Sequence, residues 1–166
     1  MTFEIEFLMA KSPKYTSASI LNGRGKKIAI VVSKFNEFIT KRLLNSCLAE
    51  LYKHGVKRTD VTTVFVPGSL EIPLVALKIA QKKNIDAVIC LGAVIRGETY
   101  HFEVVANGCV QGIMQANLET EKPIIFGVLT VNSDDQALRR SEDRGDNKGR
   151  EAAVSALEMV NLLSHV

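Results

Sequence analysis

The sequence predicts an α/β protein built as three layers, with a four-stranded parallel sheet between two helical layers. Three observations predict it. Four apolar, β-branched runs alternate with segments of helical period, and the connections between them are short. The run from Ile85 to Val94 is apolar except for Asp86, as expected of a strand covered on both faces. Beyond it, the turn Gly92-Ala93-Val94-Ile95-Arg96-Gly97-Glu98-Thr99-Tyr100-His101-Phe102 passes directly into helical spacing.

Each element has its own signal. Lys27 to Ser33 reads as the first strand, after a polar lead over residues 1–26 that is expected to be partly flexible or to pair with a neighbouring subunit. A helix follows from about Asn36, with Ile39, Leu43, Cys47 and Leu51 on one line and Leu44 and Leu48 beside it; His54-Gly55 is its stop. Val61 to Val66 is the second strand. The segment Val66-Pro67-Gly68-Ser69-Leu70-Glu71-Ile72-Pro73 leads into a second helix, with Ser69 as its expected cap and Pro73 in its first turn. After the third strand, Phe102, Val105, Ala106, Cys109, Val110, Ile113 and Met114 share one face of a helix starting near Thr99. Pro123 to Leu129 is the fourth strand. Ser133 or Asp134 opens a short helix to about Arg140. Asn147 or Lys148 starts the last helix, whose buried face holds Ala152, Ala153, Ala156, Leu157 and Val160.

With 166 residues, one domain over residues 27–166 is expected, and 46% hydrophobic residues suffice for its core. A net charge of +3, with no Lys/Arg stripe, gives no reason to expect nucleic acid. Cys47, Cys90 and Cys109 are odd in number, widely spaced and set in apolar patterns. They form neither a disulfide framework nor a zinc motif, and a reducing cytoplasm suits them. The start, Met1 to Phe7, carries two acids and no basic region, unlike a secretory signal, and no apolar run approaches a membrane span. Met9 is a second candidate start for translation.

Ligands of open α/β sheets bind at the carboxyl ends of the strands. Four loops leave that edge: Ser33-Lys34-Phe35-Asn36, Gly68-Ser69-Leu70-Glu71, Arg96 to His101, and Thr130 to Asp134, with Phe126 inside the strand before the last. The third opens a helix whose free N–H groups suit an anion, with the Thr99 hydroxyl and the His101 imidazole beside it. Together the loops offer what a flat polar heterocycle and a phosphorylated partner need. Gly-x-Gly-x-x-Gly after the first strand, a P-loop and a Gly-x-Ser-x-Gly elbow are all absent.

Five blocks, in order, resemble the lumazine synthase family. They are Ser33-Lys34-Phe35-Asn36-Glu37-Phe38-Ile39, Val66 to Pro73, Gly92 to Phe102, Phe126-Gly127-Val128-Leu129-Thr130 and Asp146-Asn147-Lys148-Gly149. The resemblance runs from about Lys27 to the C-terminus. It implies a flavodoxin-like subunit that forms pentamers with active sites shared between neighbours. The implied reaction condenses 5-amino-6-(D-ribitylamino)uracil with 3,4-dihydroxy-2-butanone 4-phosphate to 6,7-dimethyl-8-ribityllumazine, phosphate and water, without metal or organic cofactor.

By the same resemblance, Phe35 stacks on the pyrimidine. Ser69, Leu70 and Glu71 hold the ribityl chain, and Ala93, Val94 and Ile95 meet the heterocycle through backbone groups. Glu98 and Thr99 bind phosphate and His101 moves protons. Phe126, Arg140 and Lys148 come from the adjacent subunit, with Arg140 clamping the phosphate. Arg140 is commonly followed by Ala-Gly in the family; here Ser141-Glu142 follows. Arg96 is expected to be structural, in an ion pair between elements or subunits. The segment between Arg140 and Asn147 lacks an insertion found in members that stop at pentamers. An icosahedral shell of twelve pentamers, with or without an enclosed riboflavin synthase, is therefore compatible with the sequence. The alternative function is a non-catalytic flavin- or lumazine-binding shell or storage protein. A generic flavin binder is disfavoured, because the phosphate loop usual after the first strand is missing.

Overall fold

The computed structural model describes residues 21–166. The expectation for Met9, and that for most of the lead, fall on residues outside this range. The elements follow in the order β1 (Ile28–Ser33), α1 (Glu37–Lys53), β2 (Val61–Val66), α2 (Ile72–Ala80), β3 (Ala87–Ile95), α3 (His101–Thr120), β4 (Ile124–Val131), α4 (Asp134–Arg139) and α5 (Lys148–Leu163). All strand pairs are parallel and the sheet order is β2-β1-β3-β4. This is the flavodoxin-like doubly wound order, in which the chain switches direction between β1 and β3.

Period-two alternation explains the continuous apolar runs. Ile28, Ile30 and Val32 of β1, with Ile89 and Leu91 of β3, enter one core cluster with Leu43, Cys47 and Leu51 of α1 and Ala153, Ala156 and Leu157 of α5. Ala29 and Val31, with Val88 and Cys90, enter the other, with Ile72 and Ala76 of α2 and Cys109 and Ile113 of α3. Each central strand therefore has two dry faces, and the sheet is the middle of three layers. Every member of the face anticipated for α5 is buried. Leu21 packs against the first cluster, and the Gly23 N–H donates to the His54 carbonyl at 2.9 Å, so the end of the lead lies against α1.

The differences from the sequence reading have tertiary causes. β3 begins at Ala87, because Asp86 ties itself to Lys27 just below the sheet: the Lys27 N–H donates to Asp86 Oδ2 at 2.7 Å, and the Asp86 N–H to the Lys27 carbonyl at 2.8 Å. β4 runs on to Val131, because Thr130 and Val131 pair with Val94 and Ile95. Ser69 is not a helix cap. It opens a single 3₁₀ turn, Ser69–Glu71, before α2, and it is buried; a Cβ added at Gly92 would lie 2.9 Å from its Oγ. Ser133 does cap α4, accepting from the Gln136 N–H, and Asn147 caps α5, accepting from Gly149 and Arg150. On α3, Cys109 and Ile113 are buried, whereas Val104, Met114 and Leu118 stay exposed. Among the described residues no helix is long and apolar enough to cross a membrane.

Candidate active site

The loop after β1 is zipped to the end of β2. The Lys34 N–H donates to the Val66 carbonyl at 2.8 Å and the Phe35 N–H to the Pro67 carbonyl at 3.1 Å. Asn36 then turns the chain with φ of 57°, a left-handed conformation that asparagine tolerates, and its Nδ2 donates to the Ala93 carbonyl at 2.8 Å. Fixed on both sides, the loop holds the Phe35 ring 69% exposed instead of in the core. Next to it, β3 outruns β1. Their pairing ends at Val32 and Leu91, so Ala93 to Ile95 extend beyond the ladder on that side. Backbone polar groups there are available to a ligand, apart from the Asn36 bond.

These parts enclose a cavity of about 460 Å³, within the size range of small-molecule sites. Its lining brings together Phe35, Ser69, Leu70, Glu71, Ala93, Val94, Ile95, Thr99 and His101 of the expected set. His101 is the first residue of α3, and its N–H reaches Thr99 Oγ1 only at 3.4 Å. The free N–H groups and positive dipole end of a 20-residue helix thus open beside the imidazole. Glu71 is exposed and folds back over Gly68, its Oε2 3.0 Å from where a Cβ would stand. Glu98, next to Thr99, is exposed and is not among the residues lining this cavity.

Phe126, Arg140 and Lys148 lie elsewhere. They line a second cavity of about 280 Å³ along the edge strand β4, with Glu151 and Ser155 of α5, and no residue lines both. Backbone contacts fix the two cations together: the Lys148 N–H donates to the Arg140 carbonyl at 2.9 Å. Arg140 Nη1 donates to the Gln136 carbonyl at 3.2 Å, and Lys148 Nζ pairs with both Glu151 oxygens at 2.8 and 2.7 Å. Gly149 brings α5 hard against α1, since a Cβ there would stand 2.0 Å from the Leu43 carbonyl oxygen. The Ser141-Glu142 departure leaves this groove intact. Ser141 is fully buried with its hydroxyl donating to Leu138, and Glu142 is exposed and outside the lining.

Arg96 lines neither cavity. It bonds to Asn132 and Glu103, the ion pair between elements that the sequence led us to expect. The three thiols are buried. Burial pushes Cys47 up to about 12 and Cys109 to about 11; it also raises Cys90, with Cys109 adding to the effect. None is a ready nucleophile at neutral pH. Sequence reasoning gave no site role to Asn36, Phe102 and Val105, which line the first cavity, or to Glu151 in the second. Asn36 and Phe102 did lie in the motif blocks, and Glu151 had a local signal in its i,i+3 spacing from Lys148 on a helix.

A family model described as 6,7-dimethyl-8-ribityllumazine synthase matches residues 25–164. Among curated proteins, the 6,7-dimethyl-8-ribityllumazine synthases of two strains of Thermus thermophilus are each 49% identical over 151 residues, covering 91% of this chain and 96% of theirs. With a match over nearly the whole chain and identity at this level, the protein belongs to the 6,7-dimethyl-8-ribityllumazine synthase family.

Proposed function

We propose that this chain catalyses its family's condensation of 5-amino-6-(D-ribitylamino)uracil with 3,4-dihydroxy-2-butanone 4-phosphate in riboflavin biosynthesis. One observation carries the reading: a single cavity gathers an exposed aromatic ring, a carboxylate, a free strand edge, a helix start and an imidazole. Phe35 stacks on the pyrimidine, whose polar edge bonds the backbone of Ala93 to Ile95. Ser69, Leu70 and Glu71 hold the ribityl chain, the Glu71 carboxylate accepting from its hydroxyls. The ketone phosphate rests at the start of α3, on N–H groups and the Thr99 hydroxyl.

The amine attacks the ketone and water leaves to give an imine. Phosphate departs, and the ring closes with loss of water. Each step moves a proton, and His101 at the cavity wall supplies and receives it. General acid–base catalysis of this kind contributes roughly 10²–10⁴-fold, and holding two reactive partners together contributes much of the remainder.

Among the described residues the lining of this cavity contains no Lys or Arg, whereas the β4 groove contains Arg140 and Lys148. We read the two as complementary halves. The groove of one subunit closes the cavity of its neighbour, bringing Phe126 and Lys148 to the uracil and Arg140 to the phosphate as a bidentate clamp. Exposed Val104, Met114 and Leu118 on α3, Leu74 on α2 and Phe65 on β2 supply apolar surface for such association. The assembly on this reading is a ring of five, which can build further into a shell and enclose a riboflavin synthase. The buried, unpaired thiols fit a cytoplasmic setting.

The test is to mix purified, metal-free protein with both substrates and follow lumazine formation against the uncatalysed condensation. Turnover above background is expected. No turnover beside an active control enzyme would overturn the reading in favour of a binding or storage shell. Light scattering checks the assembly, and a monomer at all concentrations would contradict shared sites.

A further inference from the structure

The β3–α3 connection has little to hold it in place. Gly97, Glu98, Thr99 and Tyr100 are all exposed, and a Cβ added at Gly97 would meet nothing within 4 Å. The 3.4 Å bond from the His101 N–H to Thr99 Oγ1 is long for a hydrogen bond. Yet this segment carries two groups whose placement matters to the proposed chemistry.

Arg96 stands at the start of that segment and reaches across it. Its N–H donates to the Val131 carbonyl at 2.9 Å, anchoring its backbone to the end of β4. Its Nε donates to Asn132 Oδ1 at 2.9 Å, and Asn132 is itself held by its N–H donating to Gln136 Oε1 at 2.9 Å. Nη1 donates to Glu103 Oε1 in the first turn of α3. The guanidinium carbon lies 4.2 Å from the centroid of the Phe102 ring, and Phe102 lines the cavity. One planar group therefore clasps Phe102 and Glu103, the two residues that follow His101, against Asn132 at the end of β4. Lysine could meet Glu103 but could not also stack and fork in this way.

We propose that Arg96 is a positioning residue: by gripping Phe102 and Glu103 it fixes the first turn of α3, and so sets His101 and Thr99 against the free edge of Ala93 to Ile95. Arg96 touches no substrate and acts through its neighbours. The inference rests on the function proposed above. An exposed ion pair of this kind adds little to global stability, whereas a shift of about 1 Å in a reacting group can cost about 10²-fold in rate.

The experiment compares Arg96→Met, Arg96→Lys and Glu103→Gln with the parent chain, in wild-type and His101→Ala backgrounds. Arg96→Met should lower kcat by roughly 10–100-fold, with KM for the ribitylaminouracil unchanged. Arg96→Lys should recover part of the loss. In the His101→Ala background, Arg96→Met should cost roughly 5-fold less than in the wild-type background, because one of the two groups it positions has gone. An unchanged kcat, or the same loss in both backgrounds, would overturn the proposal. Should Arg96→Met fail to fold, Arg96→Lys and Glu103→Gln carry the same comparison. Hydrogen exchange decides independently of turnover. Faster exchange at Val104 and Val105, whose N–H groups bond carbonyls of the first turn, with α5 unchanged is expected, and unchanged exchange there would contradict the role. A wild-type chain that does not turn over would refute the functional reading alone, leaving exchange to judge Arg96.

Discussion

The cavity at the ends of β1 and β3 and the groove along β4 are formed by one sheet, yet they divide the chemistry between them. The cavity has an imidazole, a carboxylate, an open strand edge and an aromatic ring, and among the described residues no Lys or Arg in its lining. The groove has Arg140, Lys148 and the Phe126 ring, and no imidazole. A phosphorylated ketone condensing with a heterocyclic amine requires both sets. The sheet order explains the division: β1 and β3 are central, so the switch point opens between them, whereas β4 is an edge strand whose flank faces outward. The proposed shared site follows from that geometry, since one chain carries both halves in separate places.

Substitutions in the two regions should fail differently. The largest effect is expected from Arg140→Ala. Truncating one partner of a hydrogen-bonded charge pair costs about 2–5 kcal/mol, so kcat/KM for the phosphate ketone should fall by roughly 10³-fold, with KM for the uracil substrate little changed. An unaffected variant would remove Arg140 from the site. His101→Ala comes next. It should slow kcat by about 10²-fold, the low end of the range for acid–base groups, and leave both KM values near the parent's. Steady-state kinetics with each substrate varied in turn separates the two signatures.

Phe35→Ala sharpens the comparison further, because its ring is exposed in the described chain. Stacking of a base on an aromatic ring contributes roughly 1–3 kcal/mol, so uracil affinity should fall about tenfold or more while Tm stays within a degree or two of the parent's. A large drop in Tm would show that the ring serves packing instead.

A smaller, local effect is expected from pH. The Arg96 guanidinium beside Glu103 holds its carboxyl below the usual carboxylate range. A lowered folded-state pKa contributes stability that is present above the unfolded value, about 4.3, and is lost as pH falls through the folded one. Acidification into that window should therefore speed hydrogen exchange at Val104 and Val105, whose N–H groups bond carbonyls of the first turn of α3, before it affects α5. Glu50 acts in the same direction at the end of α1. Its burial raises the carboxyl, but bonds from Lys53 and His54 outweigh this and lower it. The smallest effect is expected from thiol reagents. At pH 8 the folded protein should lose no activity and show no labelled cysteine, since all three are buried. Rapid labelling of native protein would contradict the packing at Cys47, Cys90 and Cys109.

Which parts of this were legible in the sequence depended on whether their cause was local. β2 ran from Val61 to Val66 as the β-branched run predicted, and the α5 face and the Ser133 and Asn147 caps followed local periodicity and chemistry. Ser69 misled because Gly-Ser-Leu-Glu-Ile-Pro has the local form of a helix start. Its hydroxyl is instead taken into the packing against Gly92, a contact made only once β3 is in place. The α3 period located an apolar face but could not tell which part of it the sheet covers, so Met114 and Val110 were grouped with Cys109 and Ile113. In the site, the five motif blocks marked most of the lining. Asn36 lay in the first of those blocks, but its role there was not legible, because it is a bond to the Ala93 carbonyl, 57 residues away.

The most direct test of the shared site is to reassemble His101→Ala chains with Arg140→Ala chains and measure lumazine formation. In a ring closed by head-to-tail contacts each site takes one half from each of two neighbours, so an equal mixture should restore about a quarter of the wild-type sites. Activity should then rise well above that of either parent. Activity equal to the mean of the two parents would show that each chain's site is self-contained, and would contradict the account.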